Sequence, residues 1–289
     1  MTNTLVLKSQ LTATDIGRYA AQALTREANL PHKPGLVGPD GSRGHSDMDV
    51  ELMRRSAAVL EPTFIELAQA GMDIDISQEL RDEIGRIGRR GEAAMMEATG
   101  GVNTHRGAIW NVGLLAIATA GLTRHDDSAE ITALDITQRA GHLASITDSF
   151  IDNSPRPGAA ARKKYKVGGA VSEAASGFPH ILAILQAMDF DSTPLTFNQQ
   201  LRGLLTSMSS LGDTCILHRG GPEALQFVQT SATRLLMDTA PEDDISRADL
   251  RMLDLQMTEQ NLSPGGSADL LAGALFLTSI LGETHADNH

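Results

Sequence analysis

Aromatic residues make up only 3% of this chain, and Cys215 is its one cysteine. A single thiol excludes an internal disulfide and fits a reducing compartment. No run of about 18 apolar residues, the length a bilayer-spanning helix needs, occurs anywhere. The start, Met1 to Lys8, lacks the charged opening and long apolar stretch of a secretory signal, so a cytoplasmic location is expected, with no membrane contact. Positive charge is also short: 24 Lys and Arg against 36 Asp and Glu give a formal net charge of -12. Such a surface repels nucleic acid and anionic lipid, so neither is an expected partner. Sustained alternation of apolar and polar residues is missing too, which removes the pattern of a half-buried strand.

What is present favours helix. Ala, Leu, Met, Glu and Arg dominate the regular segments. Met53, Ala57, Leu60, Phe64 and Leu67 step by four and three, as do Leu80, Ile84, Ile87, Gly91, Met95 and Ala98, each giving one apolar helical face. Further helices are expected near 14–29, 106–120, 129–150, 170–188, 196–211, 222–239, 247–260 and 267–281. Ser246 and Asp249 have capping-box spacing ahead of Leu250 and Leu253. With 289 residues, 41% of them hydrophobic, the chain can bury a sizeable core without metal or disulfide staples. The expected fold is all-α: one compact multi-helix domain over 13–282, an N-terminal tail over 1–12 and a disordered tail over 283–289.

The chemistry falls on Gly-rich junctions between helices. Gly100-Gly101 ends one helical pattern, and Asn103 and Thr104 can cap a helix opening at His105-Arg106-Gly107-Ala108. Free backbone N–H groups and the positive dipole end at such a start suit an anion, with Arg106 adding charge; an ordinary capped turn is the alternative. Pro31 to Met48 is long for a helix connection and brings Lys33, Arg43, His45 and Asp47 together. Metal binding or acid–base work could use His45 and Asp47, although Asp47 and Asp49 are equally suited to a helix N-terminus. Glu92 lies near the apolar face of its helix, where a carboxylate needs a cation; an ion pair to a neighbouring arginine or a metal would serve. Three of the five lysines, Lys163, Lys164 and Lys166, cluster between Gly158 and Gly168, as a solvated basic loop or a phosphate site. Gly168 to His180 around Glu173, Gly212-Asp213-Thr214 with Arg219-Gly220-Gly221, and Asn261 to Asp269 with its glycines repeat the theme. His125 and His142 read as structural or exposed.

In order along the chain, Pro31-His32-Lys33-Pro34-Gly35-Leu36-Val37, Gly44-His45-Ser46-Asp47-Met48, Gly91-Glu92-Ala93-Ala94-Met95, Gly101-Val102-Asn103-Thr104-His105-Arg106-Gly107, Gly212-Asp213-Thr214 with Arg219-Gly220-Gly221, and Asn261-Leu262-Ser263-Pro264-Gly265-Gly266-Ser267-Ala268-Asp269 resemble the triphosphoribosyl-dephospho-coenzyme A synthases. That family serves citrate lyase and malonate decarboxylase, and the resemblance runs from about Leu24 to Ile280. Where the citrate-type pattern carries an arginine, this chain reads Gly169-Ala170-Val171-Ser172-Glu173-Ala174, which removes one phosphate contact and keeps Glu173. Thr104-His105-Arg106-Gly107-Ala108-Ile109-Trp110 looks closer to the malonate decarboxylase branch.

The resemblance implies that ATP and 3′-dephospho-coenzyme A give 2′-(5″-triphosphoribosyl)-3′-dephospho-coenzyme A and adenine. Displacement at the anomeric carbon, with inversion, calls for a base, a proton donor and a polyphosphate clamp. Fitted to those roles, Glu92 or Asp47 is the base and His105 protonates the departing adenine. Mg²⁺ is held by Asp213 with Glu173 or Asp269. Lys33, Arg43, Arg106 and Arg219, with Lys163 and Lys164, form the cationic clamp, and His45, Asn103, Thr104, Asn261 and Ser267 complete the substrate contacts. The product passes to a holo-acyl-carrier-protein synthase; a homodimer is left open. Two other readings remain: a metal-dependent phosphohydrolase using His45, Asp47, His125 and Asp126, and a non-catalytic nucleotide-binding module.

Overall fold

A computed structural model describes residues 5–7, 11–41, 44–124, 130–150, 157–190 and 194–283. Among these residues the chain forms α1 (Ala13–Asn29), α2 (Val50–Asp73), α3 (Gln78–Ala98), α4 (Arg106–Thr123), α5 (Ala133–Ser145), α6 (Pro157–Tyr165), α7 (Gly169–Ala175), α8 (Pro179–Ala187), α9 (Phe197–Ser210), α10 (Thr214–Met237), α11 (Arg247–Glu259) and α12 (Gly265–Ile280). The expected all-α class holds.

Local chemistry sets the helix starts. Thr12 and Asp15, Thr132 and Asp135, and Thr196 and Gln199 form reciprocal capping boxes at α1, α5 and α9. Asp49 accepts the Leu52 N–H at α2, and Ser77 accepts the Leu80 N–H at α3. Ser246 likewise accepts the Asp249 N–H at α11.

Two helices are apolar around their whole circumference, and that places them at the centre. Along α4, Ala108 to Gly121 is buried almost without a break, and Leu270 to Thr278 of α12 is buried throughout. Against α4 pack α1, α2 and α5, and against α12 pack α1, α8 and α9. Ile16, Leu24, Leu60, Phe64, Leu115 and Phe276 lie wholly inside, each contributing roughly 1.5–3 kcal/mol of burial. At the α1–α2 contact a Cβ on Gly17 would lie 2.4 Å from Ile65 Cγ1, so glycine lets these backbones touch.

Five expectations change. The 170–188 helix is two, α7 and α8, because Phe178 takes a left-handed conformation (φ 54°) before Pro179, which opens α8. The basic segment expected as a loop is helical as far as Tyr165. The helix expected over 129–150 contracts to α5, which carries His142 in its last turn. The helix expected from 222 starts at Thr214 and kinks at Gly221 (φ 73°), ahead of Pro222. Finally, Leu5–Leu7 (β1), within the expected N-terminal tail, pairs antiparallel with Leu281–Glu283 (β2) where no strand was expected. Residues 284–289 of the expected C-terminal tail lie outside the described residues, as do Arg43, His125 and Asp126.

Candidate active site

Three helix N-termini converge at one end of the central pair. The turn before α4 uses Gly100 and Gly101, both at positive φ (65° and 94°), and Asn103 Oδ1 accepts the Arg106 N–H at 3.3 Å. Asp213, just before α10, accepts the Cys215 N–H on Oδ1 at 2.8 Å and the Ser267 N–H of α12 on Oδ2 at 3.1 Å. One carboxylate therefore caps two helices. Asp269, the fifth residue of α12, reaches back to α4 and accepts the Ala108 N–H. Its carboxylate lies so near α4 that a Cβ on Gly107 would stand 1.8 Å from Oδ2. Three positive dipole ends thus face two acids. Burial pushes the Asp213 carboxyl up against the pull of its N–H donors. Asp269 is raised well above the ordinary carboxylate range, first by burial and then by the nearby charges of Glu27 and Asp213.

Deeper in, Lys33 and Glu27 form an ion pair with Nζ 2.5 Å from Oε1, and the same ammonium donates to the Glu27 carbonyl at 2.5 Å. Both residues are buried. Desolvation lowers the Lys33 pKa, and Glu27 partly offsets it. Beside this pair stands His105, 3% exposed. Its Nδ1 lies 2.8 Å from Ser56 Oγ, which is 2.6 Å from Thr104 Oγ1. Its Nε2 is buried with no partner among the described residues. Burial, followed by the charge of Lys33, lowers the imidazole to a pKa of about 3.

A second cluster forms where the long loop meets the start of α12. His45 Nε2 lies 3.0 Å from Ser263 Oγ, and its Nδ1 stands 3.9 Å from Asp47, whose side chain is 60% exposed. Burial and the charge of Arg219 depress the His45 pKa, against the pull of Asp47. Arg219 donates to the Asn261 carbonyl at 3.2 Å and to its side-chain oxygen at 2.9 Å. Ser267 is fully buried, and its Oγ lacks a partner among the described residues.

The fold thus brings Lys33, Thr104, His105, Asp213, Ser267 and Asp269 to one interior, with His45, Arg219 and Asn261 in a cluster at the start of α12. Glu92 and Arg106 face one another, Nη2 to Oε1 2.5 Å, each committed to the other. Glu173 is engaged elsewhere: it accepts the His180 N–H at 2.9 Å and meets His180 Nδ1 at 2.8 Å, at the first turn of α8. Lys163 and Lys164 are exposed on α6, with Lys164 over the Tyr165 ring at 4.9 Å. That helix packs on α10, and Trp110 of α4 donates its indole N–H to the Ala170 carbonyl, holding α7 beside the α4 start. Among the described residues no three His, Cys, Asp or Glu side chains form a ready metal cage. Asp213, Glu173 and Asp269 are therefore not assembled as one ligand set.

Sequence reasoning passed over Glu27 and Ser56. Each had a signal: Glu27 continues the buried Ile16–Ala20–Leu24 face of α1, and Ser56 sits among Met53, Ala57 and Leu60 on that of α2.

An all-helical scaffold that aims three helix starts and several buried ionisable side chains into one interior is that of an enzyme built to receive an anionic substrate. Residues 13–288 match the ATP:dephospho-CoA triphosphoribosyl transferase family. A Klebsiella pneumoniae 2-(5″-triphosphoribosyl)-3′-dephosphocoenzyme-A synthase is 41% identical over 98% of this chain and 100% of its own. A provisionally named synthase of the same kind from Azotobacter vinelandii is 41% identical over 89% of this chain and 88% of its own. The chain belongs to the ATP:dephospho-CoA triphosphoribosyl transferase family and is a transferase. A crystal structure of an Archaeoglobus fulgidus protein shares the fold, with a TM-score of 0.53 at 18% identity, over 78% of this chain and 97% of the other.

Proposed function

We propose that this enzyme transfers the triphosphoribosyl group of ATP to the 2′-hydroxyl of 3′-dephospho-coenzyme A and releases adenine. The observation that carries the reading to these residues is the convergence of the α4, α10 and α12 starts on Asp213 and Asp269. The bond from C1′ to N9 of adenine breaks, its electron pair leaves with the base, which takes up a proton from water, and the 2′-oxygen bonds to C1′ from the opposite face as its own proton passes to a carboxylate. An oxocarbenium-like transition state follows from that geometry.

The roles divide as follows. Arg219, Asn261 and the lysines of α6 hold the triphosphate chain. Glu92 is tied to Arg106, so proton acceptance from the 2′-hydroxyl falls to Asp47, whose carboxylate is largely exposed beside His45. A His105 neutral down to about pH 3 keeps no proton to give at neutral pH; its free Nε2 serves as a hydrogen-bond donor to a ring nitrogen of adenine. Mg²⁺ fits the donor chemistry in a limited way. Asp213 is committed to backbone N–H groups and Glu173 to His180, which leaves Asp269, crowded by two acids and in need of a cation. One carboxylate together with substrate phosphates and water suffices for that ion, which would neutralise charge on the triphosphate.

The Thr104 to Trp110 stretch favours service to malonate decarboxylase over citrate lyase, with the product handed to a holo-acyl-carrier-protein synthase in the cytoplasm. Asp47→Asn and Asp269→Asn are each expected to lower adenine release about 100-fold or more while leaving the fold intact. Near-normal release by both variants would reject these roles. Phosphate release from ATP without adenine would favour a phosphohydrolase, and tight ATP binding without turnover a nucleotide-binding module.

A further inference from the structure

Ser56 is fully buried on α2, in the apolar surroundings of Met53, Ala57 and Leu60. A serine there needs partners, and it has two hydroxyl-range contacts: Thr104 Oγ1 at 2.6 Å and His105 Nδ1 at 2.8 Å. A serine hydroxyl has one proton, so accepting from one neighbour means donating to the other. The three groups therefore form a chain with a single direction. If Thr104 donates to Ser56, then Ser56 donates to Nδ1, and the ring proton of the neutral imidazole must sit on Nε2. If the chain runs the other way, Nδ1 carries the proton and Nε2 ends as a bare acceptor. Nε2 is the buried atom without a partner, on the ring edge opposite Ser56. Departing adenine gathers electron density on its ring nitrogens, and only the first direction offers them a donor; the other could do no more than accept from the exocyclic amino group.

We propose that Ser56 is a positioning residue which, with Thr104, fixes His105 as the Nε2–H tautomer and thereby aims one N–H donor at the leaving adenine. The inference rests on the triphosphoribosyl-transfer reading for its purpose, but the hydroxyl chain can be observed in the protein alone. The hydrogen bond made by one ring nitrogen of a histidine decides which nitrogen is protonated. A buried side-chain nitrogen without a partner is uncommon in folded proteins, which marks Nε2 as placed for a ligand.

The test uses the full-length enzyme labelled with ¹⁵N at histidine, with His105 assigned by the signal lost in His105→Gln. Long-range proton–nitrogen spectra are expected to place the wild-type proton on Nε2. Ser56→Ala and the isosteric Thr104→Val should move part of that population to Nδ1 and lower kcat for adenine release roughly 10- to 100-fold, with KM for ATP little changed. Thr104→Ser, which keeps the hydroxyl, should restore both the tautomer and kcat. A wild-type Nδ1–H tautomer would overturn the proposal, as would Ser56→Ala and Thr104→Val variants that are folded and unchanged in both spectrum and kcat. If the wild-type enzyme releases no adenine from ATP and dephospho-coenzyme A, the functional reading fails instead, and the spectra still decide the direction of the chain.

Discussion

Gly107→Ala is the sharpest perturbation the site offers. Its new Cβ would lie 1.8 Å from Asp269 Oδ2, 2.7 Å from Cγ and 3.3 Å from Oδ1. Ordinary contacts begin near 3.4 Å, so the carboxylate must swing away by more than an ångström, giving up the Ala108 N–H and its place at the start of α4. The backbone need not move, because the clash is with the end of a short side chain. Overpacking of this kind costs about 1–3 kcal/mol, and one kcal/mol lowers Tm by roughly 2–4 °C in a domain of this size. Catalysis should suffer far more: misplacing a reacting or positioning group by about 1 Å can cost about 100-fold. The assay pairs calorimetric melting with steady-state adenine release. Gly88→Ala is the control. In the middle of α3 its nearest neighbour would be Ile109 Cγ2 at 4.0 Å, so it should keep activity and gain roughly 0.5–1 kcal/mol from helix propensity. A Gly107→Ala enzyme with wild-type kcat would refute the assignment of Asp269 to the working site.

Three further predictions concern the charges inside. Glu92→Gln should keep adenine release within about tenfold of wild type, because Glu92 is paired with Arg106; a loss beyond about 100-fold would restore it as the base. Lys33→Met strands a buried Glu27 and should cost about 3–5 kcal/mol in urea unfolding, while Lys33→Met with Glu27→Gln should recover most of it; equal destabilisation in both variants would contradict the pairing. His105 gives a pH signature. The unfolded imidazole protonates near 6.5 and the folded one near 3, so between these values the unfolded chain holds the extra proton. That stability is fully present above pH 6.5 and is lost as pH falls toward 3, on the order of 5 kcal/mol in all. Tm measured from pH 7 to pH 4 should fall more steeply for wild type than for His105→Asn; parallel curves would contradict the buried neutral imidazole.

Long periodic elements were legible before any coordinates. The 3–4 spacing of Leu80, Ile84, Ile87 and Met95 defines α3, and Gly100-Gly101 ends it, because repetition over five turns leaves few alternatives. Short elements were not: β1 and β2 hold three residues each, too few to show a period of two. The break at Phe178 was signalled by Pro179 and Gly177, yet the apolar face of Ile181 and Ile184 continued the helical pattern across it. At the site, sequence located the junctions and offered Glu92 a neighbouring arginine, but it did not show how the other charges pair. Arg106 reads as a phosphate ligand, whereas tertiary folding sets it against Glu92 of α3, and the turn after α1 brings Lys33 back onto Glu27, six residues earlier. Whether a charge is spent on a partner depends on contacts between helices, and spacing along one helix cannot report it.

The central claim is transfer of an intact triphosphoribosyl group, and product stoichiometry tests it most directly. Purified enzyme would be incubated with ATP, Mg²⁺ and 3′-dephospho-coenzyme A, and all products resolved by liquid chromatography with mass detection. One adenine for each triphosphoribosyl-dephospho-coenzyme A formed, with no ADP, AMP or free phosphate, is the predicted result. ADP or phosphate accumulating without adenine would contradict it.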